Sequence, residues 1–159
     1  MTEQPALTEN EVLAATDELM NAFRQTDCEA YFACFTSDAT FVFPDQDARL
    51  ENRVAYEHLW AEWVASGWQV LECTSTDRRV QLAGDTAVLS HTVRTRIATG
   101  EDEGEDEGEN EGEDDGEGDG GRTGTDELHE RETIVFHRQA GGRLLAVHEH
   151  LSGAPAAAG

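Results

Sequence analysis

Residues 143–153 read RLLAVHEHLSG and follow the dipeptide Gly141-Gly142. Polar and apolar side chains alternate through this run, the period of two that marks a half-buried strand. Alternation puts Leu145, Val147, Glu149 and Leu151 on one face and Ala146, His148, His150 and Ser152 on the other. The first face is apolar except for Glu149. A charged group on a core-facing row is costly unless it is paired. The run thus implies a sheet with one buried face and offers a first candidate for chemistry.

The same period recurs upstream at about 68–82, 85–98 and 127–139. Gly84-Asp85 and Gly141-Gly142 supply tight turns between neighbours, so these strands are expected to form an antiparallel meander. A shorter strand is expected at Thr40-Phe41-Val42-Phe43, preceded by a turn at Thr36-Ser37-Asp38 and stopped by Pro44. Before Gly67 the remaining periodicity is helical. Thr8-Glu9-Asn10-Glu11 is a capping box, followed by Val12, Ala15, Leu19, Ala22 and Phe23 on one face. Asp27 can cap a short second helix carrying Ala30, Tyr31, Cys34 and Phe35. Asn52 can cap a third, with Tyr56, Leu59, Trp60 and Trp63 on one stripe and Gly67 at its end. The sum is an α+β fold: three N-terminal helices packed on a curved antiparallel sheet, enclosing a cone-shaped cavity.

The chain has 159 residues, enough for one domain with a sizeable core, so 1–159 is read as a single domain with a flexible tail at about 154–159. Its formal net charge is −23, from 34 acidic and 11 basic residues, and every basic residue is Arg. That balance argues against nucleic acid and against anionic membrane surfaces as partners. The acid is concentrated. Glu101 to Asp119 holds thirteen Asp or Glu in a repeat of four closed by Gly, and without it the charge is −10. The segment has no apolar side chain, so about 100–125 is read as a disordered acidic loop inserted between two strands. Diffuse attraction of cations is the other reading of such a polyacid, although its spacing is not that of a calcium-binding loop. No apolar run is long enough to span a bilayer, and Met1 to Asn10 has no signal-peptide pattern. Cys28, Cys34 and Cys73 form neither a CxxC nor an even framework and are read as small buried hydrophobes. A cytoplasmic protein with reduced thiols is expected.

In the second long strand, Ala87, Leu89, His91, Val93 and Ile97 share a face that is apolar apart from His91 and Thr95. Glu149 and His91 are therefore candidates for a pair at the cavity floor. A carboxyl in an apolar pocket has a raised pKa, which suits acid–base work near neutral pH. A purely structural pair, with Glu149 bonded to His91, an Arg or a Tyr, produces the same pattern. His148 and His150 point the same way on a strand, but no third ligand follows at a metal-binding spacing, so no metal is assigned. That outer row fits solvent or a dimer contact equally well. Tyr31, Tyr56, Trp60, Trp63 and Trp68 supply aromatic surface, most of it expected in the core and some in the cavity wall. There is no phosphate-cradling glycine loop and no G-x-S-x-G.

The runs Glu132 to Arg138 and Val147 to Pro155 resemble the nuclear-transport-factor-2-like superfamily, most closely its SnoaL-like and ketosteroid-isomerase-homologue group. The pattern V-H-x-H-x-S-G-A-P is also similar to the end of the association (hub) domain of calcium/calmodulin-dependent protein kinase II. Asp27 to Phe35, Asp38 to Phe41 and the third helix agree. The resemblance implies a sheet-to-sheet homodimer with a cone-shaped pocket in each subunit. The three functional positions of ketosteroid isomerases fall on Phe43, Leu19 and Ile134, which speaks against steroid isomerisation. The hub resemblance implies Glu149, Leu151, Ile134 and Arg94 on the pocket side, and His148 and His150 at the interface. Arg94 facing the pocket would turn His91 away, contrary to the alternation reading. Hub domains bind small carboxylates through Arg side chains, and two of those positions are Ile134 and Leu151 here.

The resulting expectation is a small-molecule pocket protein of the isomerase, cyclase or dehydratase type, acting on a small apolar ligand without a cofactor. Glu149 would be the acid–base group and His91 its support, with Tyr31, Tyr56 and Trp60 shaping the pocket. The alternative is a non-catalytic binding or dimerisation module.

Overall fold

A computed structural model describes residues 6–99 and 124–155. The acidic repeat and the tail beyond Pro155 lie outside the described residues. Three helices come first: α1 (Glu9–Arg24), α2 (Cys28–Phe32) and α3 (Arg53–Ala65). Each starts where a side chain can take an orphan backbone N–H. Thr8 and Glu11 form a reciprocal capping box on α1, Asp27 accepts from Ala30 N, and Asn52 accepts from Ala55 N. Gly67 stands just past α3 at φ 103°, a left-handed conformation that glycine adopts without a Cβ penalty.

Strands β1 (Phe35–Val42), β2 (Trp68–Ala83), β3 (Thr86–Thr99), β4 (Thr125–Arg138) and β5 (Leu144–Gly153) form one curved, unclosed sheet in the order β1-β5-β4-β3-β2. The meander from β2 to β5 is antiparallel. The sheet as a whole is mixed, because β1 pairs with β5 in parallel, Phe41 lying opposite Glu149. β1 also starts at Phe35 rather than Thr40, so the expected turn at Thr36-Ser37-Asp38 lies within the strand. A register shift between Phe35 and Thr40 accommodates it, and it is held because Phe35, Ala39 and Phe41 are all buried. The last rung between β3 and β4 is closed by Thr99 N donating to Gly124 O at 2.9 Å.

A second departure lies in β5. Phe136 pairs with Ala146 and Val135 with His148, so Val147 is an extra residue, a β-bulge. The bulge inverts the expected faces of the first half of the strand: Ala146 is fully buried on the same side as Glu149, whereas Leu145 and Val147 are not part of the core. Past the bulge, Glu149 and Leu151 face inward as alternation requires.

The helices cover the inner face of the sheet. Arg24 Nε donates to Cys73 O at 2.8 Å, and Arg53 Nη1 donates to Phe35 O at 3.0 Å, tying α1 to β2 and α3 to β1. The helix–sheet layer is strongly aromatic: Tyr31 stacks on Trp60 with centroids 4.8 Å apart, and Tyr56 meets Phe41 edge-on at 4.7 Å. Cys34 and Cys73 are buried, but Cys28, on the first turn of α2, is exposed, contrary to the reading of all three as buried hydrophobes.

Candidate functional site

Between the helices and the inner face of the sheet lies a cavity of about 430 Å³. α1 contributes Leu19, Met20 and Phe23, and α2 and α3 contribute Tyr31, Tyr56 and Trp63. The mouth is marked by Pro44, Asp45 and Asp126, all exposed. β3 presents Val93, Thr95 and Ile97, and β5 presents Glu149 and Leu151. β4 presents Leu128, Glu130 and Glu132, successive residues of its inward row.

Glu149 and Glu132 are 2 % and 5 % exposed, and their carboxyl groups are near enough to shift each other's protonation. Tyr31 donates its hydroxyl to Glu149 Oε1 at 3.1 Å, with the Tyr56 hydroxyl 3.5 Å from that of Tyr31. On the other side, His91 Nε2 lies 2.7 Å from Glu132 Oε1 and His91 Nδ1 lies 2.6 Å from Ser75 Oγ. Arg78 Nε donates to Ser75 Oγ at 2.8 Å. The Ser75 hydroxyl then donates to Nδ1, which leaves Nε2–H to donate to Glu132. Hydrogen bonds join Arg78–Ser75–His91–Glu132, starting from an ion pair of Arg78 with Asp17 at 2.9 Å, and a separate one joins Glu149 to Tyr31 in the aromatic wall.

The electrostatics follow from burial. Glu149 is held well above the ordinary carboxylate range, first by desolvation and then by the neighbouring Glu132 charge. Glu132 is also raised by burial, and the two titrate as a pair that retains a proton. Glu130 is pushed up to about 7 by burial and by the charges of Glu149 and Asp45. His91 is lowered to about 4 by burial and by Arg78, so it is neutral near pH 7 and its contact with Glu132 is a hydrogen bond rather than an ion pair. The Tyr31 and Tyr56 hydroxyls are held protonated by burial.

The structure therefore brings Glu149, Tyr31, Tyr56 and Leu151 to the cavity wall. Trp60 and Ile134 are fully buried behind it, 1 % and 0 % exposed, and support it without lining it. His91 faces inward, as alternation requires, but its direct partner is Glu132 and not Glu149. Arg94 is a correction. It points out of the sheet, with a side chain 56 % exposed and 3.8 Å from Glu127, because it lies on the opposite parity to His91 and Val93. Among the described residues no Arg or His lines the cavity, which leaves the small-carboxylate ligand of the hub resemblance without a counter-charge there. His148 bonds Thr40 Oγ1 at 2.8 Å, and His150 is exposed. Among the described residues no three His, Cys, Asp or Glu side chains are grouped to hold a metal ion.

Sequence reasoning missed Glu130 and Glu132. The signal was present: Leu128, Glu130, Glu132, Ile134 and Phe136 share one parity, and two acids in that row are as anomalous as Glu149. Ser75 and Arg78 carried no such signal, because Arg78 lies within a break in register between Thr76 and Arg79, where Asp77 has φ 57°.

The profile of the SnoaL-like domain matches residues 12–112. The chain belongs to the SnoaL-like family. Solved structures agree on the fold. A ketosteroid isomerase-like protein from Erwinia carotovora atroseptica is 14% identical, with a TM-score of 0.68 over 94% of this chain and 100% of that one. An NTF2-like protein of unknown function from Pseudomonas putida is 22% identical, with a TM-score of 0.63 over 92% and 86%. The hub of the calcium/calmodulin-dependent protein kinase II of S. rosetta is 21% identical, with a TM-score of 0.63 over 97% and 100%. No curated protein matches the sequence. Among the described residues of this SnoaL-like chain, no helix is long and apolar enough to cross a membrane.

Proposed function

We propose that this SnoaL-like protein binds a small, largely apolar molecule in the cavity and acts on it by acid–base chemistry. The observation that carries the reading is the set of three glutamates, Glu130, Glu132 and Glu149, within a cavity whose wall is mostly aromatic and aliphatic. Burial raises all three above the ordinary carboxylate range. Glu149 keeps its proton and stands beside the Tyr31 hydroxyl, so it can donate to oxygen on a ligand. Glu130 titrates near neutrality and can accept a proton. Two titratable groups raised to different extents can divide the acid and base roles. His91 and Glu132 are positioning residues: His91 Nε2–H holds Glu132, and the Glu132 carboxyl raises that of Glu149.

A neutral bicyclic ketone, 2-tetralone, tests this reading. The protein is expected to accelerate deuterium exchange at its α-carbon, followed by NMR. Glu149→Gln and Glu130→Gln are each expected to slow that exchange by about 10²-fold, the lower end of what general acid–base catalysis supplies. Saturable binding without accelerated exchange would leave a binding module and no enzyme.

We also propose self-association through the outer face of the sheet. Val88 on β3, Val135 on β4 and His148 on β5 lie side by side there, half-buried, in a row free of acid. The fold shared with kinase hubs supports this reading. Light scattering is expected to give a dimer mass at micromolar concentration and a monomer mass for Val135→Glu. A monomer in the unaltered chain removes the interface.

A further inference from the structure

We infer that the cavity takes an organic cation, a protonated amine carrying an apolar body. The inference deepens the pocket reading above and rests on it. Among the described residues five carboxyl side chains line the cavity, Asp45 and Asp126 at the mouth and Glu130, Glu132 and Glu149 within, and no basic side chain does. Nor does any described cation stand against the two buried carboxyl groups: their hydrogen-bond partners are the Tyr31 hydroxyl and a neutral His91. Burying like carboxyl groups together is costly, and an ammonium placed between them and Glu130 supplies the missing opposite charge.

The remaining wall fits the same occupant. Phe23, Tyr31, Tyr56, Trp63 and Trp68 surround the cavity, with Trp63 and Trp68 centroids 5.2 Å apart and Tyr56 and Trp63 6.0 Å apart. Aromatic faces attract cations as well as apolar carbon. A bare metal ion is a poor match, since a hard divalent cation requires a shell of oxygen ligands and this wall is mostly carbon. An anion meets repulsion from every charged group on the wall. The volume, about 430 Å³, accommodates a ring and a short chain and is far larger than a single ion.

Three near-isosteric probes decide the matter: 4-phenylbutylamine, 4-phenylbutan-1-ol and 4-phenylbutanoate. Binding is read by quenching of Trp63 and Trp68 fluorescence and by calorimetry at pH 7.5. The amine is expected to bind at least about tenfold more tightly than the alcohol, and the carboxylate more weakly than either. Glu149→Gln and Glu130→Gln are expected to bring the amine and alcohol together, to within about threefold, while alcohol binding persists. Glu130 is only partly buried and lies outside the fully buried pair of glutamates, so its variant remains informative if Glu149→Gln fails to fold. Equal binding of amine and alcohol, or a preference for the carboxylate, overturns the cation assignment and leaves the pocket reading standing. Unchanged selectivity in both folded variants also overturns it. No binding of any probe at millimolar concentration overturns both.

Discussion

Glu149 is fully enclosed, yet among its contacts there is no cation, only the Tyr31 hydroxyl and a second carboxyl group. Its proton is therefore part of the folded state, and stability must respond to pH. The folded chain keeps a proton that the unfolded chain releases above the ordinary glutamate value of 4.5. Stability is lost as pH rises from that value through the raised folded one. Glu130 acts in the same direction between 4.5 and about 7. His91 acts in the opposite direction: its folded value of about 4 against an ordinary 6.5 means stability lost as pH falls through that window. The two largely offset, which leaves Glu149 to set the net direction. Thermal melts are expected to show Tm falling as pH rises from 4.5, and Glu149→Gln, which fixes the neutral form, is expected to flatten that fall. At the low end of that range the same variant is expected to cost no more than about 1 kcal/mol, since the amide can still accept from Tyr31. A Tm of the unaltered chain that does not fall with rising pH would contradict the assignment of that proton.

The elements were legible where local chemistry fixes them. Thr8, Asp27 and Asn52 mark helix starts because a short polar side chain can reach back to an unpaired N–H, and that contact is written within four residues of sequence. Thr8→Ala is expected to cost about 1 kcal/mol in urea unfolding. The inward row of β3 was legible for the same reason, since its alternation is unbroken from Ala87 to Ile97. The first half of β5 was misread because one extra residue, Val147, shifts the parity of everything before it. A bulge leaves no local signature in RLLAVHEHLSG; it is fixed by pairing to β4 and by the parallel contact with β1. The bulge makes a discriminating prediction. Ala146→Asp is expected to destabilise by about 3 kcal/mol or more, as a buried charge without a partner, and Leu145→Asn by about 1 kcal/mol or less. Regular alternation requires the reverse order, and denaturant titration of the two variants separates the cases.

For the molecule as a whole, thirteen of the charges behind the formal −23 fall within Glu101–Asp119, between β3 and β4. That segment has no apolar side chain to bury, and the strands on either side are already joined at Thr99 and Gly124. Deleting it is expected to leave Tm within a few degrees, measured calorimetrically, because loop-closure entropy changes slowly with length. A large drop would give the segment a structural role. By itself the sequence determined the period-two strands, the capped helices, the α+β class and one misplaced carboxyl, because each depends on residues near one another in the chain. The family followed from the same local patterns. Tertiary structure alone decided who meets whom. Glu132, rather than Glu149, is the partner of His91; Arg94 is outside; and three glutamates from two strands converge on one aromatic cavity. Those contacts join residues tens of positions apart, and their distances follow from sheet register and curvature, which no short stretch of sequence encodes.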